Sequence, residues 1–270
     1  MSGKAVAATM DFDAQATTYN ERTGFPDEAV APIVAAICDM MPGIGEAVLL
    51  ELGAGTGTLG AALSREAGTY VGLDRSGSML QQLVSPGMSR LVADASATWP
   101  IQSGVVQGFF TSRALHLFDL DNVCAELYRT AVPAGATFLV GRVERDRESI
   151  QSVLRRKMRR HLQETGYQAH DGHRAWEQLE EVLCEWNGQT LQSRTVVQWQ
   201  RCRSPAQMLA AWENKPGLAG LSLTREAKAS VLTRVRDWAK NRYNDLDEPC
   251  EIQESYQLQG ITFQTSAVKK

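Results

Sequence analysis

Three carboxylates stand at the ends of three short apolar runs, and three glycines crowd the first of them. Glu51 closes Ala47-Val-Leu-Leu and is followed at alternate positions by Gly53, Gly55 and Gly57. Asp74 closes Tyr70-Val-Gly-Leu, and Asp94 follows Leu91-Val-Ala. Glycine adopts positive φ freely and lacks the Cβ atom that would hold a ligand off the main chain. The 53–57 turn is therefore a place where backbone approaches a bound molecule closely. The acids beside it are acceptors. Asp74 suits the two hydroxyls of a ribose. Asp94 suits an exocyclic amino group such as adenine N6, and Ala95 leaves room for the ring. Charge-assisted hydrogen bonds of this kind contribute roughly 1.5–3 kcal/mol each before desolvation. The pattern predicts a nucleoside-like ligand at the carboxyl edge of a parallel sheet.

The segment Gly55-Thr-Gly57-Thr-Leu-Gly60 also fits Gly-x-Gly-x-x-Gly, and Asp74 lies 19 positions beyond Gly55. That is the spacing of dinucleotide-binding folds. Register opposes it. The first glycine after the strand is Gly53, and counting from there puts Thr58 where close helix–strand packing needs glycine. Glu51 would repel a pyrophosphate and attract a cation. Nucleoside recognition beside a carboxylate, without phosphate recognition, matches S-adenosylmethionine (SAM) and its sulfonium. An NAD(P)-dependent oxidoreductase remains the rival enzyme class. A SAM-binding regulator without turnover remains the non-enzymatic rival.

The elements that position these residues follow from periodicity. Val30, Ile33, Val34, Ile37 and Met41 recur at helical spacing and stop at Pro42-Gly43. Strands are predicted at 47–52, 70–73, 89–92, 105–111 and 136–143, with helices at 59–66, 79–84 and 122–130 between them. This alternation implies an α/β fold with a parallel sheet covered by helices on both faces. Beyond Val143 the rhythm changes. Long helices are expected at 148–165, 174–186, 204–214 and 224–243, with strands at 193–202 and 250–265. The helices of 203–248 have no place in the first sheet and are expected to form a cap. The first helix and the 148–186 stretch are further candidates for it.

Composition bounds the function. A formal net charge of −3 over 270 residues argues against broad nucleic-acid binding. The five cysteines are scattered and form no Cys-x-x-Cys pair, which disfavours a disulfide framework or a zinc site and suits a reducing compartment. Met1–Met10 is too short and polar for a signal peptide, and no apolar run approaches the ~18 residues of a membrane span. A cytoplasmic protein, monomer or homodimer, with no membrane or nucleic-acid partner is expected. His170-Asp-Gly-His173 offers two histidines without a third ligand, so no metal is predicted.

The sequence resembles the class I SAM-dependent methyltransferases of the bacterial small-molecule kind. The resemblance rests on Val48-Leu-Leu-Glu-Leu-Gly-Ala-Gly-Thr-Gly57, Val71-Gly-Leu-Asp-Arg-Ser-Gly-Ser-Met-Leu80, Val92-Ala-Asp-Ala95, Ala114-Leu-His-Leu-Phe118 and Ala131-Val-Pro-Ala-Gly135. It covers roughly Phe12 to Val143. It implies a Rossmann-like, doubly wound, mostly parallel seven-stranded sheet with antiparallel C-terminal strands and a helical cap. The implied division is a lid (1–45), a SAM-binding core (46–143), a completing segment (144–202), a substrate cap (203–248) and terminal strands (249–270). It implies SAM as cofactor and S-adenosylhomocysteine as product. Glu51, Gly53, Ala54, Gly55 and Gly57 would border the methionine part, Asp74 the ribose, and Arg75 and Met79 the adenine face. Asp94 and Ala95 would take the adenine edge. Phe12-x-x-x-Ala16-x-x-Tyr19 resembles the family's lid, whose tyrosine lies against SAM. The family usually carries an acid near the start of strand four, and here Gln107 replaces it.

The methyl acceptor is expected to be a small molecule, with a carrier protein as a second candidate partner through the 155–160 basic cluster. That cluster also reads as the solvated face of an amphipathic helix. His116, just past strand four, is the candidate general base, although a structural histidine on that turn is the plainer reading. Ser112 is a candidate contact for the methionine moiety. Arg113, Trp199 and Trp212 are candidate substrate contacts, although core of the cap is the plainer reading of the last two.

Overall fold

The computed structural model describes residues 25–83, 85–167, 172–215 and 217–265, together with Asp13, Ala16 and Tyr19. Helix α1 (Asp27–Met40) buries Ile33, Val34 and Ile37 on one stripe and places Asp27 and Glu28 in its first turn, where the dipole favours acids. Strand β1 (Val48–Leu52) follows a short 3-10 turn. Leu49, Leu50 and Leu52 are all fully buried, as expected of a central parallel strand covered on both faces. Then come α2 (Gly60–Glu66), β2 (Thr69–Asp74), α3 (Gly77–Gln82), β3 (Met88–Val92), β4 (Gly108–Ser112), α4 (Leu120–Thr130) and β5 (Ala136–Arg145). After β5 come α5 (Ile150–Glu164), α6 (Gly172–Glu185), β6 (Gln189–Arg203), α7 (Pro205–Glu213), β7 (Gly217–Leu218), β8 (Leu221–Ser222), α8 (Arg225–Arg242) and β9 (Cys250–Phe263).

The main sheet has the order β3-β2-β1-β4-β5-β9-β6. The first five strands in that order pair in parallel, with Leu50 opposite Val71 and Phe109, and Asp74 opposite Val92. Strand β9 runs antiparallel to β6: Gln257 meets Thr195 while Glu254 meets Arg201. The expected seven-stranded, mostly parallel α/β sheet is thus present. Its order reverses at β1, which pairs with β2 on one side and β4 on the other. In open α/β sheets that switch point opens a crevice at the carboxyl ends.

The chain divides into two compact units. Among the described residues, a core unit takes 13–143, 172–198 and 255–265, and a second unit takes 144–167 and 199–254. The core unit packs around Phe109, which stacks at 6.4 Å on Phe138 and lies 6.2 Å from Phe263 and 6.3 Å from Trp99. Leu179 and Leu183 of α6 join this cluster. The second unit has its own cluster: Leu154, Met158 and Leu162 of α5 against Met208, Leu209, Val231 and Val235. The expected boundaries therefore shift. Residues 144–167 do not complete the core, because the α5 stripe meets α7 and α8. Residues 172–198 stay with the core because α6 packs there.

Element ends agree with the expected ones to within four residues, the widest gap being at the start of β6, Gln189 against an expected 193. Two differences have physical causes. Strand β4 begins at Gly108, not at 105, since Val106 makes only an isolated bridge to Ala131. The β7–β8 hairpin was not foreseen. Its turn residues Ala219 and Gly220 both have positive φ (51° and 83°), the primed-turn geometry. Alanine is a poor signal for that turn.

Replacing Phe109 by Ala should cost about 3–5 kcal/mol, through lost transfer energy and the cavity left among three aromatic neighbours. Thermal unfolding followed by near-ultraviolet circular dichroism measures it. A midpoint like that of the wild type would show that this cluster is not the centre of the core unit.

Candidate cofactor site at the carboxyl ends of the strands

Asp74 organises the edge. Its Oδ2 accepts the Gly55 N–H at 2.8 Å, and its Oδ1 accepts the Ser76 N–H at 2.8 Å. The glycine loop after β1 and the start of α3 are thereby tied to one carboxylate. An ionised carboxylate offers about four acceptor positions. Two are taken, and one on each oxygen is left. Burial pushes the Asp74 carboxyl up, while the Ser76 and Gly55 amides hold it down. The loop is fixed further by Gly53 and Ala54, whose N–H groups donate to Leu73 O at 2.8 and 3.0 Å.

The three glycines do different work. All have positive φ, at 69°, 58° and 75° for Gly53, Gly55 and Gly57. A Cβ on Gly53 would lie 2.6 Å from Ala114 Cβ, and one on Gly57 would lie 1.4 Å from Leu83 Cδ1. Those two glycines are required by packing. A Cβ on Gly55 would meet nothing within 4 Å. The open backbone expected of all three is present only at Gly55. Ala54 is buried and lies below Gly72.

Glu51 departs from its expected setting. Only 3% exposed, it accepts a hydrogen bond from the Tyr70 hydroxyl, and Gly60 covers the pair because any Cβ there would strike both. Burial raises its carboxyl to about 8, the Tyr70 bond opposes this, Asp74 adds to it, and Arg113 pulls down. Tyr70 is pushed up as well, first by burial and then by Glu51. The lone carboxylate expected beside a cation is a buried, hydrogen-bonded acid under the loop. Tyr70 carried no sequence signal beyond being an aromatic residue in a strand.

Asp94 lies one strand over. Ala93 N–H donates to Asp74 O at 3.0 Å, so the two acids stand on adjacent strand ends. Asp94 is exposed, and its Oδ1 accepts the Ser96 N–H at 2.8 Å in a local turn. Ala95 is buried, with its carbonyl on the Trp99 indole at 3.1 Å. Arg75 is exposed, whereas Met79 is 2% exposed and part of the core, so the structure gives it no open face for stacking. Val92, 63% exposed at the end of β3 and opposite Asp74, is the apolar surface the sequence reading missed. Asp13 was also missed. It accepts from Ser76 Oγ at 2.5 Å and Ser78 N at 3.3 Å, anchoring the N-terminal segment to the start of α3. In that segment Ala16 is buried and Tyr19 half-buried, while Phe12 lies outside the described residues.

At the end of β4, Ser112 Oγ lies 2.9 Å from the hydroxyl of the fully buried Tyr256. A Cβ on Gly141 would fall 1.7 Å from that hydroxyl, so glycine is needed there. Phe25 packs edge-on to Tyr256 at 5.4 Å, and the Arg113 guanidinium lies 4.4 Å over Phe25. Arg113 holds φ at 61°, a conformation that costs about 1 kcal/mol or more for a non-glycine residue. His116 is half-buried in the short turn Leu115–Leu117. That turn lies between Ala114 and Phe118, the two residues against which Gly53 packs. Gln107 Oε1 accepts the Val48 N–H at 2.8 Å, which ties the approach to β4 to the start of β1.

Trp212, read as a candidate substrate contact, is 6% exposed within the apolar cluster of the second unit, and this is a packing position. Trp199 is 7% exposed, and its indole N–H donates to Glu254 at 2.8 Å. His170 lies outside the described residues. Among the described residues no group of three His, Cys, Asp or Glu side chains is placed to hold a metal, and no helix is long and apolar enough to cross a membrane.

Residues 49–135 match the family model described as a methyltransferase domain. No curated protein matches the chain. Solved structures share the fold at low identity. A proposed type II methyltransferase from Anaeromyxobacter dehalogenans is 15% identical with a TM-score of 0.58, over 89% of this chain and 97% of that one. The 4+2 cyclase SpnF is 16% identical with a TM-score of 0.56, over 98% and 99%. A proposed methyltransferase solved in complex with the Haloferax volcanii Trm112 activator is 17% identical with a TM-score of 0.53, over 96% and 99%. Over residues 49–135 the chain is thus similar to a methyltransferase domain, and the solved structures share its fold.

Two predictions follow from the loop. Gly55→Ala should cost only the backbone strain of positive φ, about 1–2 kcal/mol. Gly57→Ala should lower the thermal midpoint further, because its Cβ overlaps Leu83; equal midpoints would remove the distinction drawn here. The second concerns pH. The unfolded Glu51 carboxyl titrates near 4.5 and the folded one near 8. Between those values the folded chain holds a proton the unfolded chain has lost, so the stability Glu51 contributes falls as pH rises through this window. Glu51→Gln removes that titration. The wild type should lose stability relative to Glu51→Gln as pH rises from 4.5 to about 8 in denaturant titrations. A constant difference would contradict the raised pKa.

Proposed function

We propose that the protein transfers the methyl group of SAM to a small-molecule acceptor by in-line displacement, within a biosynthetic route. The observation that carries this reading is the Asp74 carboxylate. It is fixed by two main-chain N–H groups, keeps one acceptor position on each oxygen, and stands beside the open backbone of Gly55. That is the equipment for a ribose diol next to an unobstructed main chain. Asp94, with one oxygen outside its local turn, is the proposed acceptor for the adenine amino group, and Arg75 and Val92 are the proposed apolar and stacking surface. Tyr19 and Asp13 belong to the proposed lid.

The sulfonium supplies the electrophile, so the protein has to align nucleophile and methyl at ~3–3.5 Å and exclude water. His116 is the proposed base for a hydroxyl acceptor. An amine acceptor needs none. Arg113, held under strain above Phe25, is the proposed anchor for a carboxylate of cofactor or acceptor. The shared fold of a cyclase means that methyl transfer has to be measured directly, as S-adenosylhomocysteine formed from an acceptor panel.

Asp74→Ala should weaken SAM binding roughly 30-fold or more by calorimetry, the equivalent of one to two charge-assisted bonds at about 2 kcal/mol or above. Asp74→Asn should fall between the two, since it keeps one acceptor oxygen. Unchanged SAM affinity in a folded Asp74→Ala protein would refute the cofactor site.

A further inference from the structure

Ser112, at the end of β4, shares its hydroxyl with a tyrosine from the far end of the chain. It pairs with Gly141 of β5, and its Oγ lies 2.9 Å from the hydroxyl of Tyr256 on β9. Tyr256 is held from several sides. Its oxygen fills the space where a Cβ on Gly141 would fall, 1.7 Å away. Phe25 meets its ring edge-on at 5.4 Å, and no part of the side chain reaches solvent. The turn after Ser112 is fixed as firmly. Arg113 N–H donates to Gly141 O at 2.9 Å, and Ala114 packs against Gly53. Ser112 therefore stands beside the glycine loop, at the switch point where β4 pairs with β1. All of these residues belong to the core unit, as do Asp74 and Gly55.

A bond between two hydroxyls leaves one hydrogen over, since each group carries one donor and two lone pairs. If Ser112 donated, the spare hydrogen would be that of Tyr256. Among the described residues Tyr256 meets no other acceptor, and it is closed to water. A buried donor left without a partner costs more than an ordinary hydrogen bond contributes. If Tyr256 donates, the spare hydrogen belongs to Ser112, which is half-buried and keeps accessible surface. Burial selects this second arrangement. It also holds the Tyr256 phenol above the usual tyrosine range, so the donor keeps its proton. Ser112 is left as a directed donor in need of an acceptor. Charged acceptors form the stronger bonds, and the Arg113 guanidinium, next in the chain, favours an anion at the same turn.

We propose that Tyr256 is a positioning residue, which turns the Ser112 hydroxyl outward as a donor to the carboxylate on the amino-acid part of SAM. This rests on the cofactor reading of the Asp74 edge. Tyr256 is fully buried and does not itself meet the ligand. Its effect passes through one hydroxyl, and without Ser112 it has nothing to orient. Phenylalanine at 256 would keep the ring against Phe25 and leave Ser112 free to rotate.

Two uncharged thioethers isolate the amino-acid part. S-adenosylhomocysteine carries it, and methylthioadenosine has the same nucleoside without it. The test is calorimetry of the full chain against both. Ser112→Ala should weaken S-adenosylhomocysteine about tenfold, the loss of one donor from a charged acceptor, and leave methylthioadenosine unchanged. Tyr256→Phe should show the same selectivity with a smaller loss, about threefold. Added to Ser112→Ala, Tyr256→Phe should weaken binding no further, because the group it acts through is gone. Asp74→Ala should weaken both ligands. Equal losses on the two ligands, unchanged S-adenosylhomocysteine affinity, or a further loss in the double variant would each overturn the proposal. Ser112→Ala is the safeguard should Tyr256→Phe unfold: without its selective loss the proposal falls. A wild type that binds neither ligand would remove the cofactor reading and this proposal together, whereas binding without the selective loss removes only the proposal.

Discussion

A carboxylate that must serve two loops at once governs the architecture of the site. Asp74 terminates β2, the strand beside the switch point, and reaches sideways to the Gly55 amide and forward to the Ser76 amide. Each bond fixes a loop that has no regular pairing of its own. Both loops then present main chain toward the carboxyl edge in one arrangement. Preorganisation of this kind lets a ligand bind without first ordering the protein. The same geometry explains why the residue must be an aspartate. A longer side chain would carry the carboxylate past the two amides, and an uncharged one would hold them more weakly.

Beneath this edge, the fold supports the site by close packing at positions where a Cβ is forbidden. Gly57 makes room for Leu83, Gly53 for Ala114 and Phe118, Gly60 for Tyr70, and Gly141 for Tyr256. Interiors this dense transmit strain with little give. The glycine-rich loop is therefore mostly a packing device, with one residue, Gly55, left facing open space. The buried Glu51–Tyr70 pair belongs to the same support. It costs desolvation, and the cost is contained by keeping the acid protonated near neutral pH.

Much of this was legible in the sequence. The alternation of apolar runs and helical stripes named every strand of the parallel sheet, because a period of two or of 3.6 is imposed locally by burial. Asp74 and Asp94 were found because strand ends are marked by the change from apolar to polar. What stayed hidden depends on partners distant in the chain. Tyr70 and Glu51 are 19 residues apart, and Ser112 and Tyr256 are 144 apart. Met79 and Trp212 have the chemistry of ligand contacts and the burial of core residues, a difference that only packing decides. The division of the chain into units was misplaced for the same reason. The α5 stripe declares that it is buried, but not which helices bury it.

Charge shows this limit most sharply. A net charge of −3 describes the whole chain and argues against a polyanionic partner. It says nothing about where single charges sit. In the 155–160 run Arg155, Arg156, Arg159 and Arg160 are exposed, as the spacing of a solvated helix face requires, and Arg156 bonds outward to Arg147 and Glu148. Glu254, by contrast, is buried and paired with Arg145 and Arg201, which lie 109 and 53 positions away and which no periodicity reveals.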